Sequence, residues 1–111
     1  MSGLDKFLEK KTSSCVVDGV TFKLEAPNYE KGRKLLAWAL ESFRNKDAVD
    51  EIDVGMELLE ATIIEPDISG LSKDDVYRLF INTGGFKSKL SDTAAKITGL
   101  RVQDTEKENP I

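Results

Sequence analysis

Asp18-Gly19 lies between two short β-prone runs, Ser14-Cys-Val-Val17 and Val20-Thr-Phe-Lys-Leu-Glu25, and this dipeptide constrains the fold more than any other feature. A two-residue turn of type I′ needs positive φ at both central residues, which Asp and Gly tolerate and β-branched residues do not. In the second run Val20, Phe22 and Leu24 alternate with Thr21, Lys23 and Glu25, so one face is buried and the other wet. A lone two-stranded hairpin is marginal in water. The hairpin, at about 14–25, must therefore pack on something.

The rest of the chain supplies helices. Pro27 and Asn28 punctuate it, and Asn28 suits a helix N-cap, so a first long helix is expected over 28–45. Its apolar residues Leu35, Leu36, Ala39, Leu40 and Phe43 form an inward stripe. Trp38 widens the stripe to a sector of about 200°, more than one core contact requires. Gly32 in the first turns permits close packing, at a cost of about 1 kcal/mol relative to Ala.

A second helix is expected over 48–64, stopping before Pro66, which cannot continue it. Val49, Ile52, Met56, Leu59 and Ile63 recur at the alternating spacing of a seam that faces another helix. Val54, Leu58 and Ala61 lie opposite, so this helix belongs at the centre. Ser72-Lys-Asp-Asp75 opens a third helix, 73–83, with a start resembling a capping box. That helix points Val76, Leu79 and Phe80 inward, carries Tyr77 and Ile81 on its flanks, and ends at Gly84-Gly85. A fourth, 86–98, turns Phe86, Leu90, Ala94 and Ile97 inward and stops at Gly99. Residues 4–11 suit a short helical turn with Leu4, Phe7 and Leu8 on one side. The expected fold is α+β, mainly α: an N-terminal hairpin on a bundle of about four helices. It forms one domain over 1–99, followed by a polar, flexible tail over 100–111.

Composition bounds the function. With 111 residues, 40% apolar and 32% charged, the chain has the balance of an ordinary globular domain with a single core. Its longest apolar run, Leu35 to Leu40, is far short of the about 20 residues of a membrane span. The first residues lack the basic and apolar regions of a secretory signal, so a cytoplasmic location is expected. The single cysteine, Cys15, has no partner for an internal disulfide and reads as a small buried hydrophobe in a reducing compartment.

Histidine is absent. That removes the imidazole base and ligand of neutral pH and with it a nucleophile triad of the usual kind. Zinc would be left with one thiol and carboxylates, a poor set. The stretch from Asp47 to Asp53 lacks the alternating ligands and central glycine of a calcium loop. No P-loop, GxGxxG or CxxC is present. The chain is expected to be no enzyme and to use no metal or cofactor.

Net charge is −4, but residues 47–72 hold eight acids and no base. Asp50, Asp53, Glu57 and Glu60 fall on one strip of the second helix. Like charges at these spacings repel by a few tenths of a kcal/mol each, while the helix dipole favours those near its N-terminus. The strip reads either as a solvated face or as a surface meeting a basic partner or a neighbouring copy. Trp38 reads either as core or as a contact anchor, since Trp is favoured at interface hot spots. The third and fourth helices, with Gly84-Gly85 between them, also allow a helix-turn-helix in which Lys87, Lys89, Lys96 and Arg101 face phosphate. The acidic chain and the few base-reading side chains there speak against nucleic acid as a partner.

Several segments together resemble the tail assembly chaperones of long-tailed bacteriophages. They are the strand pair ending in Phe22-Lys-Leu-Glu-Ala-Pro27, the amphipathic first helix and the acidic second one. Ile63-Ile-Glu-Pro-Asp67, Leu71-Ser-Lys-Asp-Asp-Val-Tyr-Arg-Leu-Phe80 and Asn82-Thr-Gly-Gly85 before the last helix complete them. The resemblance implies a non-structural protein that self-associates, keeps the long helical tape measure protein soluble and helps recruit tail tube subunits. It also implies a longer product made by frameshifting near the C-terminus. It carries over no catalytic or binding residues, so the candidate contacts stay those read from the residues: Trp38, Asp50, Asp53, Glu57 and Glu60. Two other functions fit the same residues. One is a small acidic regulator or inhibitor that engages a basic protein surface, and the other is a helical DNA-binding protein.

Overall fold

The computed structural model describes residues 3–101. Its elements are α1 (Asp5–Leu8), β1 (Thr12–Val17), β2 (Val20–Glu25), α2 (Tyr29–Asn45), α3 (Ala48–Thr62), β3 (Ile63–Glu65), α4 (Lys73–Asn82), a 3-10 turn (Gly85–Lys87) and α5 (Lys89–Thr98). The expected class, an N-terminal antiparallel hairpin followed by helices, is the class observed.

The hairpin turns at Asp18 and Gly19, with φ of 49° and 82°, the left-handed values a type I′ turn demands. Val17 pairs with Val20 and Cys15 with Phe22. Cys15, Phe22 and Leu24 are buried, on the face that α5 covers. The strand begins earlier than expected, because Thr12 still finds Glu25 as a partner.

The second expected helix is shorter than 48–64. α3 ends at Thr62, and Ile63–Glu65 forms β3, antiparallel to β2, through the pairings Leu24 with Ile63 and Lys23 with Glu65. Pro66 would have allowed helix up to Ile64. What ends it sooner is the open edge of β2, whose unpaired backbone groups β3 satisfies. The sheet therefore has three strands in the order β1-β2-β3. In the loop that follows, Ser69 donates both its N–H (3.0 Å) and its hydroxyl (2.7 Å) to Asp67, which holds that carboxyl below its ordinary range.

α3 is the central element, as expected, and both of its apolar sides are covered. Val54, Met56, Leu58 and Leu59 are all buried, packed against α2, α4 and α5. Val49, placed in the seam by its spacing, is instead 69% exposed, on the outer side of the first turn of α3. Asp47 caps that turn, accepting from the Val49 and Asp50 N–H groups, and Asn28 and Ser72 cap α2 and α4 in the same way.

The inward stripe of α2 also needs correction. Leu35, Ala39 and Ser42 are buried, Leu36 is half-buried, and Leu40 and Phe43 are 60% and 45% exposed. α3 covers one line of a sector too wide for it, and the remainder faces out. Leu4, Phe7 and Leu8 of α1 are likewise exposed.

α4 ends at Asn82, and Gly84 and Gly85 both take positive φ. Phe86 does not open the last helix. It sits in the 3-10 turn, half exposed, with its ring edge-on to Phe80 at 5.0 Å. Helix α5 starts instead at Lys89, because Ser88 accepts from the Ser91 N–H at 2.8 Å and makes a better N-cap. Two residues assigned to the tail belong to the domain: Leu100 packs on the core and Arg101 pairs with Asp92 at 2.9 Å. The rest of the expected tail lies outside the described residues.

Gly55 lets α4 approach α3. A Cβ there would stand 2.8 Å from Cε1 of Phe80 and 3.0 Å from Cε1 of Phe86. Gly55→Ala gains about 1 kcal/mol of helix propensity but overpacks a buried ring, which typically costs about 1–3 kcal/mol. The expected outcome in urea denaturation is a lower midpoint at unchanged slope. The Ser42 hydroxyl is buried with no hydrogen-bond partner among the described residues. Ser42→Ala removes that desolvated group and is expected to raise stability by about 1 kcal/mol in the same assay.

Candidate functional site

The helices joined across Lys46 and Asp47 form an antiparallel hairpin, since residues from the start of α2 and the end of α3 line one groove. The N-terminal half of α2 therefore lies beside the C-terminal half of α3. Between them opens a groove of about 440 Å³. Leu35 and Ala61 form its floor and Trp38 one wall, while Glu57 reaches it from α3. Lys31 and Lys34 stand at the rim with Asn28 and Glu30. Trp38 is 36% exposed, so it is neither wholly core nor wholly surface.

The groove joins an apolar floor to charges of both signs. Lys31 and Lys34 make no ion pair among the described residues, and neither does Glu57. An amphipathic helix suits such a lining: apolar side chains against Leu35, Ala61 and Trp38, with polar flanks meeting Glu57 and the lysines.

The sequence-predicted candidates separate into three groups. Trp38 and Glu57 come together in the groove. Asp50 and Asp53 lie nearer the start of α3, Asp50 half-buried and Asp53 exposed, and neither lines it. Glu60 turns toward α4 and pairs with Lys73 at 3.8 Å. The strip is thus no continuous row of free carboxylates. Among the described residues, no group of three or more acidic or thiol side chains is placed to hold a metal ion. The cations that a DNA-binding reading would use are partly engaged, since Lys96 and Arg101 both pair with Asp92 at 2.9 Å, and α5 packs against the sheet and α3.

Sequence reasoning placed Leu36, Leu40 and Phe43, on the other open surface of α2, inside. Tyr29 is 79% exposed, and with Leu36, Leu40 and Phe43 it forms a stripe on the opposite side of the buried line from Trp38. Arg33 lies over the Tyr29 ring at 5.6 Å and pairs loosely with Glu30 at 3.8 Å. The excess width of the apolar sector was the signal that such a surface exists. Which part of the sector turns outward depends on where α3 and the sheet sit. No protein-family model matches the chain, and no characterised protein or solved structure is significantly similar to it.

Trp38 is the only tryptophan, so intrinsic fluorescence reports on the groove directly. Acrylamide is expected to quench the folded protein to a degree between a buried and a free indole, and a helical ligand seated in the groove is expected to suppress that quenching. Leu40→Glu, on the other side of α2, is expected to leave the quenching unchanged.

Proposed function

We propose that this chain is a protein-binding module without catalytic activity, an assembly chaperone of the kind that long-tailed bacteriophages use. In this reading it works in the host-cell cytoplasm, associates with copies of itself, keeps the tape measure protein soluble and helps bring tail tube subunits to it. The observation that carries the reading is the apolar surface left uncovered on both sides of α2. Trp38 and its groove lie on one side, and Tyr29, Leu36, Leu40 and Phe43 lie on the other. Large apolar side chains left open on two sides of one helix are what a partner-binding surface would use.

The physics of the task agrees with the site. A long helical client presents many similar amphipathic segments, so the holder needs a modest groove repeated in many copies. Copies held along one client gain avidity from effective concentration, with no need for a single strong contact. Among the described residues no helix is long and apolar enough to cross a membrane.

Co-expression with a tape measure protein tests the proposal. The wild-type chain is expected to keep the client in the soluble fraction and to co-purify with it, and Trp38→Ala is expected to lower that yield about tenfold, the size of a modest hot spot. Lysine at Asp50, Asp53, Glu57 and Glu60 separates this reading from an acidic regulator. Apolar recognition predicts that most client binding survives the charge reversal. Loss of all binding on reversal, with Trp38→Ala harmless, contradicts the chaperone reading.

A further inference from the structure

The exposed stripe of α2 has the spacing of a coiled-coil seam. Tyr29, Leu36 and Phe43 are separated by seven residues each, and Arg33 and Leu40 follow the first two by four. That is the alternation of a and d positions, on a helix face that the rest of the chain leaves open.

The charges beside this seam are arranged about its middle. Counting outward from Ala37, the residues four positions away are Arg33 and Glu41, and those seven away are Glu30 and Arg44. The sign reverses from one end to the other at both distances. In a parallel pair the flank that carries Glu30 and Arg44 would face Gly32 and Ala39 of the second copy, so its charges would find no partner there. Turned end for end about a two-fold axis level with Ala37, the helix sets Glu30 of each copy against Arg44 of the other, on the same flank of the seam. The same alignment brings Leu36 nearly level with Leu40 of the second copy and Arg33 close to the face of Phe43.

We propose that this face of α2 is the self-association surface, on which two copies pair antiparallel through the Tyr29–Phe43 stripe. The pairing gives a surface to the self-association in the proposed function and rests on that part of it. It uses one occupant for both halves of the contact, as a two-fold interface requires. The charges are available for it. Glu41 and Arg44 are exposed and make no ion pair among the described residues. The Glu30–Arg33 contact is a loose, exposed pair at 3.8 Å, of the kind that contributes little and is easily redirected. The Trp38 groove lies on the opposite side of the buried Leu35–Ala39 line, so a paired molecule keeps both grooves open to a client.

The area sets the strength. Tyr29, Leu40 and Phe43 are 79%, 60% and 45% exposed. At the roughly 150–250 Å² of a large aromatic side chain, the stripe offers on the order of 400 Å² per copy, about 800 Å² for the pair, which is the size of a weak, transient contact. A weak, reversible dimer follows.

Sedimentation equilibrium of the full chain without client, from about 5 μM to about 1 mM, tests the pairing across the range such an area implies. A monomer–dimer equilibrium is expected, and Leu40→Glu should weaken it about tenfold or more while the circular dichroism spectrum stays native. Glu30→Arg and Arg44→Glu should each weaken the dimer several-fold, and the double variant should return it to within about threefold of wild type. A protein that stays monomeric throughout overturns the proposal. So does a dimer indifferent to Leu40→Glu, or single charge variants that the double change fails to rescue. The readout is mass alone, so a failure of client binding leaves it standing, and a monomeric protein leaves the Trp38 groove as the client site.

Discussion

Helix α3 carries apolar side chains on more than one side, and the whole domain is arranged to cover them. Val54 and Leu59 are 1% and 0% exposed, shielded by α2, α4 and α5. α4 comes close enough only because position 55 is a glycine with two aromatic rings over it. The sheet packs on α5, which in turn packs on α3, and the edge of β2 takes β3 directly from the end of α3. Each neighbour is fixed by the need to bury α3, and each surrenders one face to do so.

α2 is the longest element for which that arrangement leaves a surplus, though Tyr77 and Ile81 of α4 are exposed as well. It packs on α3 through the line Leu35, Ala39 and Ser42, yet it carries large apolar residues on both sides of that line. A chain selected for solubility alone would place charge there. Tyr29, Leu36, Leu40 and Phe43 on one side and Trp38 on the other are instead concentrated on one helix, flanked by paired-sign charges. The two open sides serve two separate contacts in our account: a second copy on the stripe and a helical client in the groove.

The features legible in the sequence were those with local causes. Asp18-Gly19 turns a hairpin because of its own φ preferences, and Asn28 and Ser72 cap helices with their own side chains. The central place of α3 could also be read, since its apolar residues occupy two opposite faces. The misreadings had causes distant in sequence. Ile63 leaves the helix because Leu24 offers it a strand partner. Phe86 had the period of α5, but Phe80 holds it in the preceding turn. Leu40 and Phe43 had the period of a core stripe, and a helix cannot encode on which side its neighbours will stand. For the same reason Trp38 and Glu57 could each be singled out, while their meeting in one groove depends on the α2–α3 hairpin.

The central claim is that α2 has a structural side and a spare side, and paired substitutions of equal chemistry measure that division most directly. Leu35→Asn and Leu40→Asn place the same polar group five residues apart on the same helix. Chemical denaturation in dilute solution, where copies do not pair, is predicted to show Leu35→Asn destabilised by about 2–5 kcal/mol. Leu40→Asn is predicted to stay within about 0.5 kcal/mol of wild type, as an exposed site should. Equal losses at the two positions, or the larger loss at Leu40, would contradict the account.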